Sequence, residues 1–192
     1  MSSLVDAKRE LALEETKKEA AWIAYNSDDK NPVMEAEYNL AKAKVVVADR
    51  KVKVAVAEAN LEEIRKKDDS DPAKADELKK AEGKWKDEKA EWEVEKAKLE
   101  VEKAKLEVEK AKPEGRRARL FAARTRVKEL KERTEEGDPA LEEARELVTE
   151  IEKENTAELL KEAKEMLTKT EGRLAELEKK PEKGQPGAQG GE

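Results

Sequence analysis

Hydrophobic residues recur every seven positions in the segment VEKAKLEVEKAKLEVEKAKPE, residues 94–114. Because each residue of an α-helix advances about 100° around the axis, side chains seven apart fall close to one line. The valines, with the alanines three or four positions away, form one apolar stripe: Val94, Val101 and Val108 with Ala90, Ala97, Ala104 and Ala111. This a/d spacing is typical of coiled coils and predicts a long helix.

A second apolar stripe follows the other side of the same helix, about 150° from the first. Its members are Trp85, Trp92, Leu99 and Leu106. The preceding helix repeats the arrangement, with one stripe of Tyr38, Ala41, Val45, Ala48, Val52 and Ala55 and an opposed stripe of Leu40, Val47, Val54 and Leu61. A helix with two opposed stripes fits an inner position in a row of antiparallel helices, or a segment that also binds another chain.

Prolines divide the chain into helices. Asn or Asp followed by proline favours a helix start, because the side chain caps free N–H groups and proline suits the first turn. Such pairs occur at Asn31-Pro32, Asp71-Pro72 and Asp138-Pro139, and Pro113 ends the repeat. The predicted helices are 3–26, 32–67, 72–112, 116–135 and 139–180.

Two further features of the pattern concern the C-terminal part of the chain. The apolar seam slips by two residues near Asn155, so we expect a kink or break in helix 139–180 there. The tail, residues 181–192, is rich in Gly, Pro and Gln and is predicted to be disordered.

These elements predict an all-α fold: an elongated antiparallel helical bundle with coiled-coil-like packing and about five helices. The apolar seams change at Pro113, from valine and alanine before it to leucine after it. This change favours two regions, 1–112 and 113–180, although one continuous bundle is equally compatible with it.

The charge composition narrows the chemistry. Charged residues make up 47% of the 192 residues, and 42 cations are interleaved with 48 anions, a pattern that stabilises helices through pairs three or four residues apart. The absence of cysteine and histidine excludes disulfides and removes the usual general base and metal ligand. Phosphate-loop and nucleophile-elbow motifs are also missing. We therefore expect no enzymatic activity, no cofactor, no metal site and no small-molecule substrate.

The pattern also bears on localisation. No apolar run is long enough to cross a membrane. The N-terminal sequence MSSLVDAKRELALEE lacks the apolar core of a signal peptide. We expect a soluble intracellular protein without a membrane span, in a compartment that the pattern leaves open.

Residues 115–128, GRRARLFAARTRVK, form a candidate anion-binding site, because this segment of an acidic protein has only cations among its charged residues. These cations are Arg116, Arg117, Arg119, Arg124, Arg126 and Lys128. They would bind the phosphates of a nucleic acid or another anionic surface. The alternative, which we favour, is that the arginines pair with glutamates of neighbouring helices, since they are spread around the helix.

The stripe of Trp85, Trp92, Leu99 and Leu106 is the candidate site for a protein partner, because tryptophan is enriched at interface hot spots. The alternative, favoured for tryptophans at helical spacing, is a place in the core.

The function predicted from these patterns is structural or protein-binding, by helix–helix docking with a partner or by self-association. Two alternatives stay open: nucleic-acid or anionic-surface binding through residues 116–128, and a charged-helix spacer with no specific ligand. The Lys/Glu/Ala/Val runs resemble low-complexity helical segments of some intracellular effector proteins, such as Crinklers, and equally resemble engineered helical repeats. No motif among them assigns a family.

Overall fold

The computed structural model describes residues 2–27, 31–67, 73–134 and 137–179. The fold is an all-α, elongated antiparallel helical bundle, and no strand occurs within these ranges. Its helices are α1 (Ser2–Ser27), α2 (Pro32–Arg65), α3 (Lys74–Ala111), α4 (Pro113–Arg133), α5 (Pro139–Lys153) and α6 (Thr156–Glu178).

Side-chain caps fix two of the helix starts. The Asn31 side chain accepts a hydrogen bond from the Val33 N–H (3.0 Å) at the start of α2. Asp138 accepts one from the Ala140 N–H (2.8 Å) at the start of α5. In each case proline occupies the first helical turn, so both predicted starts are confirmed. The third predicted start, 71–72, lies outside the described residues.

The break between α3 and α4 is shorter than predicted. Lys112 alone is extended, with φ −66° and ψ 152°, because proline disfavours the helical conformation in the residue before it. Helix α4 then begins directly at Pro113, and the predicted start at 116 is wrong by three residues. The error arises because proline is well suited to a first helical position, so the residue that ends α3 also begins α4.

The predicted break near residue 155 is confirmed. Helix α5 ends at Lys153 and α6 begins at Thr156. The amide of Asn155 donates a hydrogen bond to the Glu158 carboxylate (3.3 Å) across the first turn of α6. The break divides the predicted helix 139–180 into two. The predicted tail, residues 181–192, lies outside the described part of the chain.

Four helices pack in the order α1, α2, α3, α6, each antiparallel to the next. Contacts between α1 and α2 set their register, since the Tyr25 and Tyr38 rings stack with centroids 5.8 Å apart and Lys51 pairs with Glu10. Helices α2 and α3 are linked by ion pairs from Arg50 to Glu88 and Glu91, from Arg65 to Glu82 and from Lys67 to Glu77. At 38 residues, α3 is about 57 Å long, so this row of helices is elongated.

The core between these helices consists mainly of small side chains. In α3 the first stripe is largely buried, and Ala104 is completely buried. Near the start of α6, Ala163 packs against Val108 and Ala111 of α3, with Leu159, Leu160 and Leu167 around them. Small residues on facing helices allow a close approach but bury little area per residue. The core is therefore long and thin.

Helices α4 and α5 form an antiparallel hairpin that joins the row through α3. Leu141 of α5 is the largest completely buried side chain among the described residues. Because α6 follows the hairpin and packs on α3, contacts cross the predicted boundary at residues 112 and 113. The division into regions 1–112 and 113–180 stays a prediction.

Candidate docking groove

A cavity of about 460 Å³ lies where α1, α2, α3 and α6 meet. We call it the groove. Helices α2 and α3 form its floor, α1 bounds it on the side of α2, and α6 bounds it on the side of α3. Its lining residues are Glu10 of α1; Val47 and Lys51 of α2; Trp92, Glu93, Lys96, Ala97, Leu99 and Glu100 of α3; and Thr170, Arg173 and Leu177 of α6.

The apolar floor of the groove comes from the second stripes of α2 and α3. Trp92 and Leu99 line it from α3, and Val47 lines it from α2. Since Trp92 and Leu99 are seven residues apart on one helix face, they lie about 10.5 Å apart along the axis. Leu177 of α6 adds an apolar side chain to the wall. The second stripe of α2 and the second stripe of α3 therefore both contribute to one surface.

The four candidate partner-binding residues have different environments. Trp92 and Leu99 are half-buried and line the groove. Trp85 is half-buried outside the groove lining, and Leu106 is buried. The structure thus brings two of the four residues into one open site, and the other two lie beyond it along α3.

Most charges around the groove are already paired. Lys51 pairs with Glu10, Lys96 with Glu93 (3.1 Å), and Glu100 with Lys103 (2.6 Å). Arg173 is exposed and makes no ion pair within the described ranges. The groove thus has an apolar floor and a single uncompensated cation at its α6 edge.

The indole ring of Trp92 is held in place by its own helix. Lys96 Nζ lies 4.4 Å from the ring centroid, a cation–π contact, while the same ammonium pairs with Glu93. The indole Nε1–H is shielded from solvent and has no hydrogen-bond partner among the described residues. Leaving a buried donor without a hydrogen bond costs free energy. The position of the ring is therefore set by its packing and by the Lys96 contact, and not by a hydrogen bond of its N–H.

The arginine-rich segment lies on α4 and faces α5. Arg116 donates to the carbonyl oxygens of Ile151 (2.9 Å) and Glu152 (2.6 Å) at the C-terminal end of α5, where a cation also offsets the helix dipole. Arg119 donates to both carboxylate oxygens of Glu154 (2.9 and 2.5 Å). Arg124 pairs with the Glu152 carboxylate (2.7 Å). Three of the six candidate cations therefore have partners in α5 or at Glu154, its C-cap residue.

The other three candidate cations are exposed. Arg117, Arg126 and Lys128 make no ion pair within the described part of the chain. Arg126 lines a cavity of about 220 Å³ together with Glu143, Glu146 and Glu150. At 100° per residue, Arg126 lies about half a turn from Arg117 and Lys128, so these cations are not on one face. Anion binding by this segment stays a prediction.

The sequence reasoning did not identify Arg173, Thr170 or Leu177 as groove residues. Thr170 and Leu177 are seven residues apart and therefore lie on one seam of α6. The sequence did not indicate which helix that seam contacts, because α6 packs on α3 only after the α4–α5 hairpin has brought the chain back to it. A pattern along one helix does not specify which distant helix it meets.

Within the described ranges, no three or more acidic residues are grouped to bind a metal ion. Among the same residues, no helix is long and apolar enough to span a membrane. Comparison of the chain with models of protein families, with curated protein sequences and with solved structures gives no match.

Proposed function

We propose that the protein is a helix-docking scaffold whose groove binds an amphipathic helix of a partner protein. The observation that carries the proposal is the groove itself, where an apolar floor is exposed between two flanking helices and the surrounding charges are paired except for Arg173.

The shape of the groove favours a helix as its occupant. Trp92 and Leu99 form a line parallel to α3, and helices α1 and α6 flank it. An amphipathic helix fills such a channel with apolar side chains at spacings of three, four and seven residues.

The charge around the groove defines the partner further. Because Arg173 is the groove-lining cation that has no ion-pair partner within the described ranges, a carboxylate at the edge of the docked helix would complete the pairing. The proposed partner therefore has large apolar residues on one face and Asp or Glu at the border of that face. We propose no catalytic role, because the acids around the groove are paired and the chain has no histidine or cysteine.

The chain's own tail is a poor occupant. Residues 181–192, PEKGQPGAQGGE, come after α6 in the sequence. Apart from its prolines, the apolar side chain of this segment is Ala188. It has no side chain large enough to cover Trp92 and Leu99, so the proposal names a separate protein.

The test is a selection from a phage-displayed library of single helices, randomised at positions three, four and seven residues apart and at the flanking positions. We expect the enriched peptides to have large apolar residues at the first set of positions and Asp or Glu at one flank. Their binding to Leu99→Lys should be at least about tenfold weaker, because a charge then lies in the apolar floor. Binding to Phe121→Lys, a matched change at an exposed site on α4, should be unchanged.

A second variant checks the site without disturbing the floor. Arg173→Glu changes an exposed residue, and a selection against it should replace the acidic flank with Lys or Arg. Circular dichroism confirms that each variant is folded. The proposal is contradicted if no peptide is enriched on the wild-type protein, or if the enriched peptides bind Leu99→Lys as tightly as the wild type.

A further inference from the structure

Helix α1 carries several exposed apolar side chains on its outward side. Val5, Leu13 and Ile23 are 58%, 53% and 63% exposed. The opposite side of the helix, which includes the buried Ala7 and the half-buried Tyr25, packs on α2. Helix α1 thus has one face that is packed within the bundle and a second face that is open and includes exposed apolar side chains.

The open face has the spacing of an a/d seam. Its residues alternate four and three positions apart: Val5, Arg9, Ala12, Thr16, Glu19 and Ile23. All six are exposed. Leu13 lies beside the seam near its middle. Its central residues, Ala12 and Thr16, are small, which allows a second helix to approach closely.

The seam is self-complementary about its midpoint. When two such helices pack antiparallel, an a residue of one lies beside a d residue of the other. With the midpoint at residue 14, Val5 lies beside Ile23 of the partner subunit, and Ala12 lies beside Thr16 of the partner subunit. The same register places Arg9 beside Glu19 of the partner subunit, and by symmetry this pairing occurs twice.

We propose that a second copy of the chain docks on this face, with the two α1 helices antiparallel. The charges favour this occupant, because Arg9 and Glu19 are exposed and neither has an ion-pair partner within the described ranges. A parallel pairing would instead place Arg9 beside Arg9 and Glu19 beside Glu19 of the partner subunit, and like charges side by side are unfavourable. The proposal is independent of the groove, which includes α1 only through Glu10.

The expected dimer is weak. A single pair of helices buries an area at the low end of specific interfaces, below about 1,200 Å². The mass should therefore rise from 21.7 kDa toward twice that value as the concentration increases from a few to several hundred micromolar. Sedimentation equilibrium measures this change. A constant monomer mass over the whole range would overturn the proposal.

Charge reversal tests the predicted register. Arg9→Glu should weaken dimerisation by about tenfold or more, because a glutamate at position 9 then lies beside Glu19 of the partner subunit at both symmetric contacts. The double variant Arg9→Glu with Glu19→Arg should restore it. Lys128→Glu, the same change in charge at an exposed residue of α4, should leave dimerisation unchanged. Equal weakening by Lys128→Glu, or no rescue by the double variant, would contradict the register.

Cysteine cross-linking tests the orientation, since the chain has no cysteine. Antiparallel packing brings Val5 near Ile23 of the partner subunit, within the reach of a disulfide. The double variant Val5→Cys with Ile23→Cys should therefore form disulfide-linked dimers under mild oxidation. Val5→Cys alone should remain largely monomeric on a non-reducing gel. Efficient cross-linking of Val5→Cys alone would indicate parallel packing and overturn the proposal.

Discussion

A Cβ atom added at Gly115 would lie 2.0 Å from the backbone carbonyl oxygen of Glu109. Gly115 is buried in the first turn of α4, where the chain turns back against the last turn of α3. Contacts this short with backbone atoms require the backbone to move. The close turn between the longest helix and the α4–α5 hairpin therefore depends on the absence of a side chain at this position.

Replacement of Gly115 by alanine should destabilise the fold by about 1–3 kcal/mol, the usual cost of forcing atoms into a packed site. Gly83→Ala and Gly172→Ala are matched controls, because nothing lies within 4 Å of an added Cβ at either position. Since alanine favours helix, each control should gain up to about 1 kcal/mol. Urea unfolding followed by circular dichroism measures all three. Stabilisation by Gly115→Ala would contradict the described turn.

Two leucines of α5 provide a test of the thin core. Leu141 is 1% exposed and Leu147 is 44% exposed. Leu141→Ala should cost about 2–5 kcal/mol, because it leaves a cavity in packed surroundings, whereas Leu147→Ala should cost much less. Urea unfolding of both variants measures the two losses of stability, and the loss for Leu141→Ala should be the larger. Equal losses would mean that α5 is not packed as described.

The pairing of Arg119 with Glu154 should contribute to the stability of the α4–α5 hairpin. Both side chains are partly buried, and the guanidinium makes two hydrogen bonds to the carboxylate and one to the Lys110 carbonyl oxygen (3.2 Å). Arg119→Ala should cost about 1–2 kcal/mol. Arg117→Ala, an exposed neighbour without an ion pair in the described ranges, should have an effect within about 0.5 kcal/mol. Thermal unfolding of both variants distinguishes these outcomes.

The pairing of the α4 arginines with the end of α5 predicts weak binding to nucleic acids. Because Arg116, Arg119 and Arg124 are paired within the protein, only Arg117, Arg126 and Lys128 of the six candidate cations remain for phosphates. We expect no measurable binding to a short DNA duplex at about 150 mM salt, and at lower salt a dependence corresponding to two or three phosphate contacts. Fluorescence anisotropy measures both. Tight binding with a steep salt dependence would instead favour the anion-binding function.

The helices themselves could be predicted from local signals. The apolar repeat and the pairs Asn31-Pro32 and Asp138-Pro139 act within a few residues, and the corresponding helices are observed. The break near Asn155 was visible as a slip in the same pattern. The α4 start was misplaced because Pro113 both ends one helix and begins the next, and the pattern favoured only the first of these roles.

The groove could be predicted only in part. Two residues of the candidate partner site on the second stripe of α3, Trp92 and Leu99, line the groove, and their role in binding stays a prediction. Its far wall, with Arg173 and Leu177, depends on which helix packs on α3. Which helix packs on α3 depends on contacts between segments distant in the sequence, and the periodicity of α6 alone does not determine it. Leu106, the last residue of the same stripe, is buried.

The most direct test of the helix-docking proposal uses the indole N–H resonances of the three tryptophans, each assigned by substitution with phenylalanine. Trp92 lines the groove, whereas Trp85 and Trp22 do not. On titration with the tightest peptide from the helix library, the Trp92 resonance should shift in a saturable way, and that of Trp22 should stay in place. A peptide that binds without moving the Trp92 resonance, or that moves Trp22 instead, would show that the groove is not the docking site.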